Sequence, residues 1–183
     1  MKALYTLHAG EYLVGAEIEK RFKNLKLWIP SKDKGIDFLV TDKTCKKSVS
    51  LQVKYSKDHL EGREESEERK NVKAGGWWSF DKDIIEKSSA DYWVLVLSKS
   101  GGVAPEFIII KPKDLLLFYN NVFPGKQKVK SHARVMKDGK CWEARGLKKD
   151  DKEKISQGTY RPANRNLTKY LNNWTCLEKL NAR

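Results

Sequence analysis

Gly35-Ile36-Asp37-Phe38-Leu39-Val40-Thr41, followed after six residues by Ser48-Val49-Ser50-Leu51-Gln52-Val53-Lys54-Tyr55, reads as a β-hairpin with polar side chains set into apolar strands. Both runs are rich in β-branched and apolar residues, and the polar stretch 42–47 joins them. In the second run Val49, Leu51 and Val53 share one face, while Ser50, Gln52 and Lys54 share the other. Period-two geometry sets Gln52 and Lys54 side by side, about 7 Å apart along the strand. In the first run Ile36, Phe38 and Val40 point one way and Asp37, Leu39 and Thr41 the other. Asp37 is then an acid on an otherwise apolar strand, and pairing of the two strands turns it toward the edge that carries Gln52 and Lys54.

Upstream, Leu7, Val14, Ile18, Phe22 and Leu25 recur at helical spacing and predict a helix over 4–23. Glu11 falls within this apolar stripe, whereas Glu17 and Glu19 fall to its flanks. A carboxylate on an inward face is costly unless something pairs with it, and a cation is one such partner. Pro30 and the turn residues 31–35 end the segment.

Downstream, residues 57–74 are strongly charged, with Glu61, Glu64, Glu65, Glu67 and Glu68 together, and read as a solvated loop or exposed helix. Gly75-Gly76-Trp77-Trp78-Ser79-Phe80 leads into a short helix containing Ile84 and Ile85, capped by Ser79 or Asp81. Residues 91–98 and 106–111 are continuous apolar runs, as buried strands are, and 112–121 is a helix with Pro112 in its first turn. Strands are expected near 131–137 and 140–145. Leu167, Tyr170, Leu171, Trp174, Leu177 and Leu180 form a last helical stripe that packs back on the core.

The expected fold class is therefore α/β: a central mixed β-sheet flanked by helices over 1–125, with a basic C-terminal extension over 126–183, in one compact domain. The chain has 183 residues, enough for one well-buried core. Its longest apolar runs are too short to span a bilayer, and the N-terminus has no apolar signal segment, so the expectation is a cytoplasmic protein with no membrane partner. Cys45, Cys141 and Cys176 are far apart and odd in number, which argues against a disulfide framework or a zinc ribbon.

The net charge is +13, and its sign favours a polyanionic partner. The excess is concentrated in residues 126–183, which hold 16 Lys and Arg against 6 Asp and Glu. Lys126, Lys128 and Lys130 alternate with other residues and would set three ammonium groups on one strand face for phosphate contacts. Arg161 and Arg165, with Asn164 between them, precede the last helix and would meet a phosphate near its N-terminus. A solvated basic face explains any one of these residues equally well. Trp77 and Trp78 are either core or a wedge against bases, with core the commoner outcome, and Trp174 sits on the apolar stripe as packing.

Asp, Gln and Lys on neighbouring strands, with a Glu on a covering helix, make a hard-oxygen site suited to magnesium. A bound divalent ion polarises a phosphate and lowers the pKa of its water, while a lysine beside it positions or deprotonates that water. A lone Asp or a lone Gln-x-Lys is ordinarily surface decoration. The three elements in order, each with a polar group on the wrong face, are far harder to reach by chance.

These residues resemble a known family. Gly10-Glu11-x-x-Val14, Gly35-Ile36-Asp37 and Leu51-Gln52-Val53-Lys54 look like the motifs of the PD-(D/E)XK nuclease superfamily, in the variant with Gln-x-Lys in place of the usual acid. The likeness covers about residues 7–112 and extends in part to methylated-DNA restriction endonucleases and archaeal Holliday-junction resolvases. It implies a restriction-endonuclease-like core and a metal-dependent DNA endonuclease of restriction or defence type. By the same resemblance Asp37, Gln52, Glu11 and the Val53 carbonyl hold Mg2+, for which Mn2+ can substitute, and Lys54 is the catalytic lysine. DNA is the implied partner, and a homodimer is expected because two strands need two sites. A junction-resolving or homing nuclease is the nearest alternative. A binding module with a degenerate site is a different class, and a basic partner of ribosomes or anionic membranes is a weaker third.

Overall fold

Residues 93–97 and 107–110 can be apolar at every position because both of their faces are covered. A computed structural model describes residues 8–31, 34–56, 71–98 and 104–182 of the chain. The elements are α1 (Ala9–Arg21), β1 (Lys26–Trp28), β2 (Phe38–Thr41), β3 (Ser48–Tyr55), β4 (Val72–Asp81), α2 (Lys82–Glu86), β5 (Tyr92–Leu97), β6 (Glu106–Ile110), α3 (Pro112–Val122), β7 (Lys128–Met136), β8 (Cys141–Glu143), α4 (Lys149–Ser156) and α5 (Thr175–Asn181). Two 3-10 turns, Ala163–Arg165 and Thr168–Tyr170, precede α5.

The chain is α/β with a mixed central sheet in the order β1-β2-β3-β5-β6. β1, β2 and β3 run antiparallel to one another, β3 pairs parallel with β5, and β5 pairs antiparallel with β6. One face packs Val14, Ile18 and Phe22 of the α1 segment, together with Trp174, Leu177 and Leu180, on Phe38, Val40, Leu51, Val53, Val94, Val96, Phe107 and Ile109. The opposite face carries Trp93, Leu95, Leu97, Ile108 and Ile110 and is covered by α3 and the second sheet. Leu115, Phe118, Tyr119 and Val122 are the buried stripe of α3, spaced as a helix burying one side requires.

The second sheet, order β4-β7-β8, is antiparallel throughout. It joins the first through a bridge between Gly75 and Ser98, with reciprocal N–H···O bonds of 3.3 and 3.2 Å. Residues after 125 thus supply two of its three strands, and Val129, Ala133, Val135 and Cys141 enter the core with β4, β5 and α3. Among the described residues no helix is long and apolar enough to cross a membrane.

Several expectations shift. The predicted first helix begins at Ala9 in the described residues; its start near Leu4 and the stripe residue Leu7 lie outside them, as do Lys32, Asp33 and the acidic stretch 57–70. Residues 72–80, read as loop and lead-in, form the long strand β4. Gly76 does not end it because the Trp78 ring covers the vacant side-chain position: a Cβ there would meet Trp78 Cη2 at 2.2 Å. Asp81 rather than Ser79 caps α2, its carboxylate accepting from the Asp83 N–H at 3.0 Å. Ile36 packs with the α3 side of the core, apart from Phe38 and Val40.

The last stripe is not one helix. Asn172 takes a left-handed conformation (φ 49°), and its amide grips β6: Oδ1 accepts from Phe107 N–H at 3.0 Å and Nδ2 donates to Glu106 Oε2 at 2.5 Å. This clamp divides the segment, so Leu167 enters one face of the core while Trp174, Leu177 and Leu180 enter the other.

Candidate functional site

β3 continues past the end of β2, and the site forms at that step. The register Phe38↔Leu51, with Asp37 N–H donating to Leu51 O at 2.8 Å, leaves Asp37 beside Gln52. The Asp37 carboxylate then accepts from the Val53 N–H through Oδ2 at 2.7 Å. It takes over where the ladder stops, and the bond fixes its orientation. N–H and C=O of one residue point to the same edge of an extended strand. The Val53 carbonyl therefore faces the same edge as Asp37.

Gly35, at φ 82°, makes the turn that delivers Asp37; only a residue without a Cβ adopts this conformation freely, and the turn packs near the Gln52 amide. Gln52 is 8% exposed and Glu11 6%. Glu11 is the third residue of α1, and its Oε2 accepts from the His8 N–H at 3.3 Å. It faces inward at the start of the helix rather than in its middle, where the longer predicted helix placed it. It therefore serves the helix terminus and lines the cleft with the same carboxylate.

His8, Gly10, Glu11, Asp37, Gln52, Val53, Lys54 and Tyr55 enclose a cleft of about 340 Å³. All four residues singled out as catalytic, and Val53, are brought together here. Lys54 is half-buried, with its Nζ 5.4 Å from the centroid of the Trp93 ring. Lys54 and Tyr55 also line a neighbouring cavity of about 360 Å³ against β4.

Gly10 sets how closely α1 approaches β3. A Cβ at this position would lie 2.4 Å from Tyr55 Cβ and 3.4 Å from Tyr55 Cα, atoms held by the strand backbone. Gly10→Ala is expected to push the start of α1, and Glu11 with it, away from the cleft. Overpacking of this kind costs about 1–3 kcal/mol, read as a lower urea midpoint with an unchanged m-value. His8 and Tyr55 were not singled out from sequence, and Gly10 entered only within the Gly10-Glu11-x-x-Val14 motif, with no role of its own. Gly10 had a visible signal, a glycine inside a helical stripe next to the inward acid.

The cleft offers two carboxylates and two neutral oxygens, the Gln52 amide and the Val53 carbonyl. Among the described residues no group of three or more His, Cys, Asp or Glu side chains is placed to hold a metal. A donor set with one amide in place of an acid is a weaker cage than three carboxylates, but its oxygens are the type a hard divalent cation takes.

The residues proposed for phosphate contacts are scattered. Lys128 and Lys130 are exposed on one face of β7, whereas Lys126 lies in the turn before the strand, so the face holds two of the three. Arg161 Nη1 donates to Gly158 O and Tyr160 O at 2.6 and 2.9 Å. Arg165 Nη1 donates to Glu143 O and Arg145 O at 3.2 and 2.9 Å. Both guanidinium groups brace the chain, and α5 begins ten residues beyond Arg165, so the expected phosphate site at a helix N-terminus does not form. Trp78 is buried in the core, whereas Trp77 is exposed; Trp174 packs edge-on against Phe107 in the core. Comparison with protein-family models, with curated proteins and with solved structures gives no match to this chain.

Proposed function

We propose that the chain is a metal-dependent DNA endonuclease whose site is the cleft between α1 and the end of β3. The observation that carries this reading is the convergence of Glu11, Asp37, Gln52, Val53 and Lys54 on one cavity from α1, the turn before β2 and β3. The mixed sheet flanked by helices, with the helix acid ahead of the hairpin, supports a restriction-endonuclease-like core.

Asp37, the Gln52 amide oxygen, the Val53 carbonyl and Glu11 would hold Mg2+ or Mn2+. Such an ion, when bound, supplies Lewis-acid polarisation of a phosphate and a more acidic water. Asp37 is held in place by the Val53 N–H, so its carboxylate is preorganised rather than recruited. Lys54, which lines the cleft, would supply a cation that offsets phosphate charge and orients the attacking water. Gln52 makes the site one formal charge poorer than an Asp–Glu pair and lowers its affinity for the ion. The basic balance of the chain supplies sequence-independent attraction to the backbone. Cutting both strands of a duplex needs two such sites, which is the reason for a two-fold dimer in this reading.

Supercoiled plasmid, linear duplex, single strands and a four-way junction, each incubated with Mg2+ or Mn2+ and with EDTA, test it. The expected result is cleavage with metal and none with EDTA. An intact set of substrates under both metals would overturn the nuclease reading and leave a DNA-binding module.

A further inference from the structure

The second sheet places an exposed tryptophan beside the candidate cleft. Its cross-strand pairs Trp77↔His132, Ser79↔Lys130 and Asp81↔Lys128 put these side chains on one outer face. Trp77 is 37% exposed while Trp78, pointing the other way, is 6% exposed. The Trp77 and His132 rings lie nearly parallel (24°) with centroids 6.2 Å apart, and the Arg145 guanidinium carbon is 5.3 Å from the Trp77 centroid. An aromatic ring, an imidazole and a planar cation thus form one surface, with two lysines farther along the same strand.

This surface is tied to the cleft. The Trp77 N–H donates to Ser56 Oγ at 2.7 Å, two residues beyond Lys54, and Trp78 Nε1 donates to the Lys54 carbonyl at 3.2 Å. Lys54 and Tyr55 line the candidate cleft on one side and, on the other, the cavity that Trp77 and Ser79 share.

The surface is also built from beneath. Glu143 is fully buried, and Oε1 accepts from the backbone N–H groups of both His132 and Arg145, each at 2.9 Å. Its other oxygen accepts from the Ser131 hydroxyl. One carboxylate therefore fixes the backbone of the two residues that flank Trp77.

We propose that Trp77, flanked by His132 and Arg145, is a stacking platform for a base of an unpaired DNA strand running out of the candidate cleft, with Lys130 and Lys128 following its phosphates. Bases of any identity stack on such a ring, and the cations track the backbone. This deepens the nuclease reading and rests on it for the identity of the nucleic acid. It makes the preferred substrate a DNA with a single-stranded stretch rather than a continuous duplex.

Fluorescence anisotropy of the full chain, in EDTA, with a labelled 12-nucleotide single strand and the same sequence as a blunt duplex, tests the platform apart from cleavage. The wild type is expected to bind the single strand more tightly. Trp77→Ala should weaken that binding by about 10- to 100-fold with little change in its salt dependence, and Trp77→Phe, which keeps a ring, should retain most of it. Arg145→Ala should lower the salt slope by about one. Equal single-strand binding by wild type and Trp77→Ala, or tighter binding of the duplex by the wild type, would overturn the proposal. A protein that cuts plasmid while Trp77→Ala binds normally refutes the platform alone. One that never cuts but loses strand binding in Trp77→Ala refutes the nuclease reading alone.

Discussion

Asp37→Asn and Lys54→Ala should each lower the single-turnover cleavage rate by about 10²–10³-fold or more, the range carried by one preorganised electrostatic or proton-handling group. The asparagine substitution is the sharper test because it is nearly isosteric. Its side-chain oxygen can still accept from the Val53 N–H, so the turn after Gly35 keeps its anchor while the negative charge is gone. Folding should change by about 1 kcal/mol or less, since the substitution leaves no cavity. Lys54→Ala removes the cation and its contact with the Trp93 face, and its carbonyl still receives the Trp78 indole N–H. Binding of DNA in EDTA by both variants, close to that of the wild type, would separate lost chemistry from lost substrate. Cleavage by either at the wild-type rate would remove that residue from the mechanism.

Glu143→Ala is the substitution expected to damage the fold most. It strands the Ser131 hydroxyl and the N–H groups of His132 and Arg145 around a buried gap. Each unsatisfied donor costs about 1–3 kcal/mol, and with partial relaxation the total should be about 3 kcal/mol. For a chain of this size that is a fall of roughly 6–12 °C in Tm by calorimetry. Burial raises the Glu143 carboxyl above the ordinary glutamate value, opposed by its bonds to Ser131, His132 and Arg145. A raised folded-state pKa means the group's contribution is full below the ordinary glutamate range and is lost as pH rises through the raised value. Glu143→Gln, which does not titrate, should therefore lose more stability relative to wild type at pH 4.5 than at pH 7.5. Urea denaturation at the two values reads the difference. A gap that widens with pH would contradict the assignment of a desolvated carboxyl.

The hairpin was legible in the sequence because period-two alternation and chain order fix which residues meet. Gln52 and Lys54 needed only the strand period to be placed on one face. Asp37 was placed correctly beside them, but its bond to the Val53 N–H was not visible, because it depends on β2 beginning one residue after Asp37. Glu11 was picked out by facing inward, although its position at the helix start, and hence its bond to His8, depends on where α1 begins. β4 was missed for a physical reason: Gly75-Gly76 signals a turn locally, and only the Trp78 ring lying over Gly76 lets the strand run through. The C-terminal stripe misled similarly. Its spacing is helical, but Asn172 gains more by clamping β6 than by continuing a helix. Glu143 lay within an expected strand and gave no signal, since its partners are two main-chain donors and a serine from a neighbouring strand.

Titration of Mn2+ into the wild type and Asp37→Asn, followed by the loss of free-ion signal in electron paramagnetic resonance, reads directly whether the cleft holds a metal. One Mn2+ site per chain is expected in the wild type. Loss of outer-shell partners alone weakens metal binding by about 10- to 100-fold, so removal of the Asp37 charge should cost at least that. Equal binding of Mn2+ by the two proteins, or none by either, would contradict the assignment of Glu11, Asp37, Gln52 and Val53 as a metal-holding cleft.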